Sequence, residues 1–547
     1  MKNQLLLIFI LGLIILDNKV NAQQLFLSLE KQTMNQIDSK LNTKGLLFHT
    51  SFKPYLVSAL PISCSIDSVY RWMKTYSKPH KIFPKLYSHL VHENFLVVKD
   101  NDFNLSVNPY LNFEIGKDFN WDRTIYTNSR GAIIRGNIGD KFSFETYYSE
   151  NQSLLPQYIT NFVVDSNVVP GQGRAIRFKN DRSYDYASGL GYISYTPSKH
   201  FNFQAGQNKV FIGDGYRSLL LSDNSSSYPL FKITTNAGVI QYTNLWAQMI
   251  DKREDAQLGA GFRRKFLALH HLSFLVGKSV ELGLFEAVIW QAQDSISYRG
   301  FDVNYLNPII YYHSVQWNLG SPDNSLIGFN FKWKISNKLS FYNQFLLDDF
   351  DLAKSKAKKG FYRNKYAYQL GLKWFDVFGI KGLFIQAEYN EVWPYTYAHK
   401  ISVMNYAHYN QPLADPLGAN FRESLLLLQY NFHRWFAGVE VMYVLTGIDS
   451  TSGNVGQNIY LSEFSIPNSS DIKGKFIGSY GNYVGQGVSS SIIFSQFKLN
   501  YLINQHNNLL VEFSYAYRNQ CVDGIGSPSN FITFGIKTSL FNHYYDF

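Results

Sequence analysis

From Phe103 onward the chain alternates between apolar and polar positions. Phe103, Leu105, Val107, Leu111, Phe113 and Ile115 share one face, with Pro109 the single oddity, while Asn104, Ser106, Asn108, Asn112 and Glu114 share the other. The pattern returns downstream, where Ile327, Phe329, Phe331, Trp333 and Ile335 oppose Gly328, Asn330, Lys332 and Lys334. A period of two predicts extended strands with one greasy and one wet face. Read along the whole chain, it places strands near 103–115, 129–137, 141–150, 186–196, 200–209, 229–235, 239–249, 266–276 and 280–290. Further strands fall near 326–335, 339–347, 366–375, 382–391, 422–431, 436–446, 489–501, 508–518 and 530–541. Two of these, 229–235 and 239–249, are weak and are fixed partly by the need for an even number.

Periodicity does not say whether the greasy face meets a core or lipid, but the connections do. Residues 197–199, 336–338 and 432–435 are short links, whereas 151–185, 348–365, 392–421 and 447–488 are long. The short links fall on one side, which also holds both ends of the chain. Short turns on one side and long loops on the other are the habit of outer-membrane barrels. The expected fold is therefore all-β, a transmembrane antiparallel barrel of about 18 strands over 103–547. The closing aromatics, Phe541, Tyr544, Tyr545 and Phe547, are expected to finish the last strand, as barrel-assembly signals do.

Residues 1–22 read as a cleaved secretory leader, with Lys2, an apolar run from Leu5 to Leu16, and small residues at Val20 and Ala22. Residues 23–102 lack the strand pattern. Leu25–Leu41 and Asp67–Ser77 read as short amphipathic helices of a periplasmic or lumen-plugging segment.

Composition sharpens this picture. The chain carries 39 Tyr, 43 Phe and 9 Trp in 547 residues, yet only 17% of its residues are charged, against about 25% in ordinary soluble domains. Mean hydropathy is −0.19, which excludes a bundle of apolar spanning helices. The formal charge of +10 favours anionic partners, namely outer-membrane lipid headgroups or an acidic surface polysaccharide. Nucleic acid is not an expected partner of an exported chain. Cys64 and Cys521 cannot build a disulfide framework and are expected as separate thiols, with their pairing left open. No CxxC, HExxH or GxSxG pattern occurs, so no metal, cofactor or catalytic set is expected and the chain does not read as an enzyme.

Four stretches concentrate residues suited to binding. Phe211–Asn224, FIGDGYRSLLLSDN, offers Asp214, Tyr216, Arg217, Asp223 and Asn224 on an outer loop folding back into the mouth. Such groups suit cradling sugar hydroxyls, and equally suit pinning the loop within the lumen. Val168–Asp181 adds Arg174, Arg177 and Lys179 on another outer loop. The loop 392–421 carries Trp393, Tyr395, Tyr397 and His408, whose ring faces match sugar rings or pack a loop core. A basic outer loop with Lys354, Lys356, Lys358, Lys359 and Arg363 suits polyanion contact or a solvated face.

The stretch FIGDGYRSLLLSDNSSSYPLFKI resembles the capsule-assembly Wzi family of outer-membrane barrels, in the Bacteroidetes gliding-motility-associated RemB-like branch. PGQGRAIRFKND, GLFEAVIW, NPIIYY and NYAHYNQPLADPLGANFRE support the likeness, which covers most of the barrel and fades over 23–102. The resemblance implies an eighteen-stranded barrel with a helical plug and a lectin-like role in holding exported polysaccharide. For the gliding branch it implies adhesion or slime handling, with motility or secretion partners. A solute or oligosaccharide pore is the alternative reading.

Overall fold

Eighteen strands close into one antiparallel barrel in the computed structural model. It describes residues 24–61, 64, 91, 93–178, 182–253, 261–293, 298–309, 312–357, 359–449, 453–465 and 478–547. The first six barrel strands are β1 (Phe103–Asp118), β2 (Arg123–Ile138), β3 (Phe142–Leu154), β4 (Tyr184–Ser198), β5 (Phe201–Asn208) and β6 (Tyr228–Ala237). There follow β7 (Ile240–Asp251), β8 (Arg263–Val276), β9 (Val280–Gln291), β10 (Asn324–Lys334), β11 (Leu339–Asp349) and β12 (Lys365–Phe375). The circuit ends with β13 (Leu383–Val392), β14 (Phe421–Phe432), β15 (Trp435–Ile448), β16 (Val488–Asn504), β17 (Leu509–Val522) and β18 (Ile525–Thr538). β18 returns to β1 in register from Phe531 opposite Asp118 to Lys537 opposite Asn112. Each predicted strand overlaps an observed one, the two weak ones included. Closure pairs the backbone groups that hydrocarbon would leave unsatisfied.

The greasy faces point outward. Ile115, Ile327, Trp333, Phe534 and Ile536 are exposed on the barrel exterior, while their neighbours in sequence, such as Glu114, Lys332 and Lys537, face the lumen and pair there. One sector differs. Asn244, His270 and Glu286 form a row across the exterior of β7, β8 and β9, in register with exposed Ile327. They are buried because the loop after β9 folds down over them, with Tyr312 of the short helix Tyr312–Leu319 stacked on His270 at 4.1 Å. The flap itself exposes Tyr298, Val303 and Ile309.

The lumen is filled by the chain itself. Residues 24–60 enter beside the short turn at 139–141, where Gln24 donates to Ser143 Oγ at 3.0 Å and to the Asp140 carbonyl at 2.9 Å. Helix α1 (Lys31–Leu41) is capped by Glu30, which accepts from the Gln32 and Thr33 amides at 2.7 and 2.8 Å. It buries Met34, Ile37 and Leu41 against Leu27, Tyr55 and Leu60. The helix begins later than the sequence pattern suggests, because Leu25–Leu29 run extended and bond to Tyr55 and Val57. The predicted leader and the Asp67–Ser77 helix lie outside the described residues.

The closing aromatics require a correction. β18 stops at Thr538, and the tail turns back into the lumen. There Leu540 and Tyr544 are buried, and Tyr158 Oη, in the outer helix α2 (Gln157–Ser166), reaches the Tyr545 carbonyl at 2.5 Å. Of those aromatics Tyr544 is buried, and Phe541, Tyr545 and Phe547 are half-buried against Tyr147, Tyr158 and Phe162 rather than closing the strand. Cys64 and Cys521 are separate thiols.

Candidate functional site

The motif 211–224 sits inside the barrel, in the loop between β5 and β6. It is the hub on which wall, plug and tail converge. Arg217 is 1% exposed and donates to Glu423 Oε1 at 3.1 and 3.0 Å and to Asp546 Oδ1 at 3.3 Å, with Asp415 at 3.7 Å. The amides of Tyr216 and Arg217 donate to Glu388 at 2.7 and 3.0 Å. Tyr216 Oη donates to Asp546 at 3.0 Å. Burial, with Glu423 adding to it, holds the Asp415 carboxyl well above the usual carboxylate range despite Arg217.

Asp214 performs the same task for the N-terminal segment. It accepts from Lys332 Nζ at 2.8 Å and Thr50 Oγ1 at 3.0 Å, and Lys53 lies 3.7 Å away. Burial raises this carboxyl, but the lysines Lys332 and Lys53 outweigh burial and leave it below the usual range. Asp223 accepts from Tyr544 Oη and Asn542 Nδ2, both at 2.8 Å, and so fastens the tail. Asn224 Nδ2 donates to the Pro412 carbonyl at 3.1 Å. All five candidate residues of this motif are thus engaged by other parts of the chain.

The aromatic loop 393–420 roofs the hub. Tyr397 and Tyr406 donate to the carbonyls of Leu219 and Leu220 at 2.7 and 2.6 Å, and Tyr395 donates to the Asn454 carbonyl at 3.0 Å. All three rings are fully buried. Trp393 is half-buried against Tyr366, centroids 4.7 Å apart. In the basic loop Lys354, Lys356, Lys359 and Arg363 are exposed, with Arg363 paired to Asp349 at 2.7 Å. Lys358 and Lys179 lie outside the described residues. These loop cations are not brought together with the motif.

Two sequence candidates do meet at a cavity. A space of about 710 Å³ opens at the outer end between β3, β4 and the loops, and Arg174 and His408 both line it. Arg174 and Arg177 are exposed, and Arg177 pairs through its backbone with Tyr184. His408 is buried and accepts from the Ile250 amide through Nδ1 at 3.0 Å; burial, with Lys265 adding to it, holds the imidazole down to about 3.

Lys209 lies at the inner wall of this cavity, bonded to the Gly171 carbonyl at 2.6 Å and the Asp223 carbonyl at 3.2 Å. Burial pushes the Lys209 ammonium down to about 8, with Asp223 opposing. Tyr147, Tyr148, Tyr186 and Tyr409 supply ring faces, and Asn151, Gln172 and Gln207 supply amides. Three lining atoms are buried without a hydrogen-bond partner among the described residues: Asp185 Oδ1, Ser188 Oγ and His543 Nδ1. Sequence reasoning missed Lys209, Asp185, Ser188 and His543. The available signal was the shortness of the strand at 229–235, with the small residues Gly189 and Gly191 in the strand at 186–196.

No family model and no curated protein matches the chain. Among solved structures the fold is similar to Wzi, an outer-membrane protein involved in group 1 capsule assembly in Escherichia coli and described as a carbohydrate-binding β-barrel. Identity is 14% and the TM-score 0.53, covering 94% of this chain and 100% of that one. The fold is that of an outer-membrane barrel. OprD of Pseudomonas aeruginosa overlays at a TM-score of 0.40 and 11% identity over 80% of this chain and 95% of that one, too loosely to carry an argument. Among the described residues no group of three His, Cys, Asp or Glu is arranged to hold a metal ion.

Proposed function

We propose that this chain is a non-enzymatic outer-membrane barrel that binds exported surface polysaccharide, reaching the membrane by way of a cleaved leader. The observation that carries the reading is the cavity of about 710 Å³ at the outer end of a barrel whose lumen is largely filled by its own chain. Its tyrosines offer faces to the CH surfaces of sugar rings, its amides and carboxylates match hydroxyls, and Arg174 and Lys209 favour an acidic glycan. The size falls within the roughly 300–1,000 Å³ range of ligand sites. The carbohydrate binding described for Wzi supports the same role, as does the sequence resemblance, which points to capsule or exopolysaccharide assembly with a link to gliding motility or adhesion.

The test is titration of the purified barrel with the exopolysaccharide of the source bacterium. Arg174→Glu with Lys209→Met should abolish binding. If the wild-type barrel ignores the glycan, and a deletion strain still retains it at the surface, the reading fails.

One observation favours a channel as the second reading. A further cavity of about 240 Å³ shares Gln172, Tyr186, Phe541 and His543 with the first, so the tail together with Gln172 and Tyr186 stands between them. Single-channel recording separates the two: a binder with its tail in place conducts negligibly, whereas a pore gives steady open levels.

A further inference from the structure

We infer that the outer cavity is a doorway through the barrel wall, and that it admits the saccharide head of a lipid-anchored glycan sideways from the outer leaflet. This rests on the polysaccharide reading above and adds to it the route and the chemical form of the ligand.

The doorway follows from strand lengths. β5 has 8 residues and β6 has 10, while β4 on one side has 15 and β7 on the other has 12. β4 pairs with β5 only as far up as Gly191 opposite Gln207. Above it, residues 186–190 have no strand on that edge until Ile176 and Arg177 pair with Asp185 and Tyr184. On the other side β7 pairs with β6 only up to Ala247. Its upper edge is met instead by the loop after β13, where the Tyr409 amide donates to the Ile250 carbonyl at 2.8 Å and the Lys252 amide to Asn410 Oδ1 at 3.2 Å. Two loop segments therefore patch a notch that two longer strands would have sealed. An unpaired edge is costly in a membrane barrel.

The cavity fills this notch and passes through the wall. Tyr148, Glu150 and Ala187 line it from the barrel exterior, and Tyr147, Tyr186 and Lys209 from the interior. Below it the exterior is apolar, with Ile193, Tyr195 and Phe231 exposed. Beside it the exterior turns polar at Arg130, Glu150 and Asp185. That boundary is the level at which lipid headgroups sit.

Entry through the centre of the mouth is closed. Loop 393–420 is packed on Leu219, Leu220 and Leu221, all fully buried. The orphaned polar atoms of Asp185 and Ser188 sit on β4 at the notch, and that of His543 lies within. Asp185, Glu150 and Ser188 suit sugar hydroxyls, and Arg130 and Arg174 suit acidic groups among them, so the doorway fits a polyhydroxylated head whose acyl chains stay in the bilayer.

The test uses the full-length barrel in nanodiscs and two probes. One is lipopolysaccharide extracted from the source bacterium; the other is the same glycan freed of its lipid by mild acid. Ala187→Trp fills the doorway from outside without touching the interior, and retained heat-modifiable migration shows that it folds. The wild type should hold the lipid-linked form at least tenfold more tightly than the released glycan. Ala187→Trp should lose that preference, holding the lipid-linked form at least tenfold more weakly than the wild type does. If Ala187→Trp binds the lipid-linked form unchanged, the doorway is wrong and the polysaccharide reading survives. If the wild type binds neither probe, the doorway is wrong, and the polysaccharide reading falls with it only if the exopolysaccharide also fails to bind.

Discussion

Replacing Arg217 with methionine tests the hub most directly. The guanidinium is 1% exposed and is the shared partner of Glu423, Asp546 and, more distantly, Asp415. Methionine fills the stem but leaves those carboxylates without their cation. Removing one partner of a buried ion pair costs about 3–5 kcal/mol, two to three and a half powers of ten in an equilibrium constant. The element that can yield is the tail, because Glu423 is fixed on β14 whereas Asp546 ends a segment held mainly by Asp223, Tyr216 and Arg518. A Tyr544→Cys reporter, in a background lacking Cys64 and Cys521, reads this as maleimide labelling. Adding Arg217→Met should raise the labelling rate about a hundredfold and lower the melting temperature. Adding Glu423→Gln as well should recover part of the loss, since it removes one uncompensated charge. Unchanged labelling and melting in Arg217→Met would refute the claim that this arginine fastens the tail.

Other outcomes follow from the same structure. His408 stays neutral in the folded chain down to about pH 3 but titrates near 6.5 when unfolded, so stability is full above about pH 6.5 and falls toward pH 3. Its share of the slope is about 1.4 kcal/mol per pH unit in that window, and His408→Gln should flatten melting curves taken between pH 7.5 and 4. Lys209 loses its proton above about pH 8, so affinity for an anionic glycan should drop about tenfold between pH 7 and 9.5, measured by calorimetry; Lys209→Met should bind weakly and without that pH dependence. Gly213 has φ +122°, and a Cβ there would lie 2.1 Å from Gln344 Nε2, so Gly213→Val should leave little heat-modifiable, folded barrel on a denaturing gel.

The barrel was legible in the sequence because lipid on one side and a wet lumen on the other impose a period of two on each strand. The link lengths then separated an end of short turns from an end of long loops. What escaped was everything set by contacts distant in the chain. Arg217 and Glu423 are 206 positions apart, so no local pattern distinguishes a residue pinning a lumen from one waiting for a sugar. Tyr395, Tyr397 and Tyr406 posed the same ambiguity, and their hydroxyls are spent on backbone carbonyls. Aromatic character likewise does not say which apolar surroundings will bury a ring, and for this reason the tail read as the end of a strand. Arg174 and His408 reached the cavity from two different loops, a meeting that only the notch between β4 and β7 explains.

The flap over β7, β8 and β9 bears on the order of assembly. Asn244, His270 and Glu286 face outward on the wall, and until the loop after β9 settles over them they confront hydrocarbon with no protein cover. The loop can settle only after its strands have paired, since its seat is built by three of them. This sector is therefore compatible with the bilayer only once that loop has settled. Changes that loosen Tyr312 from His270 would act on insertion rather than on the finished barrel's interior, and would raise the amount of chain caught by periplasmic quality control.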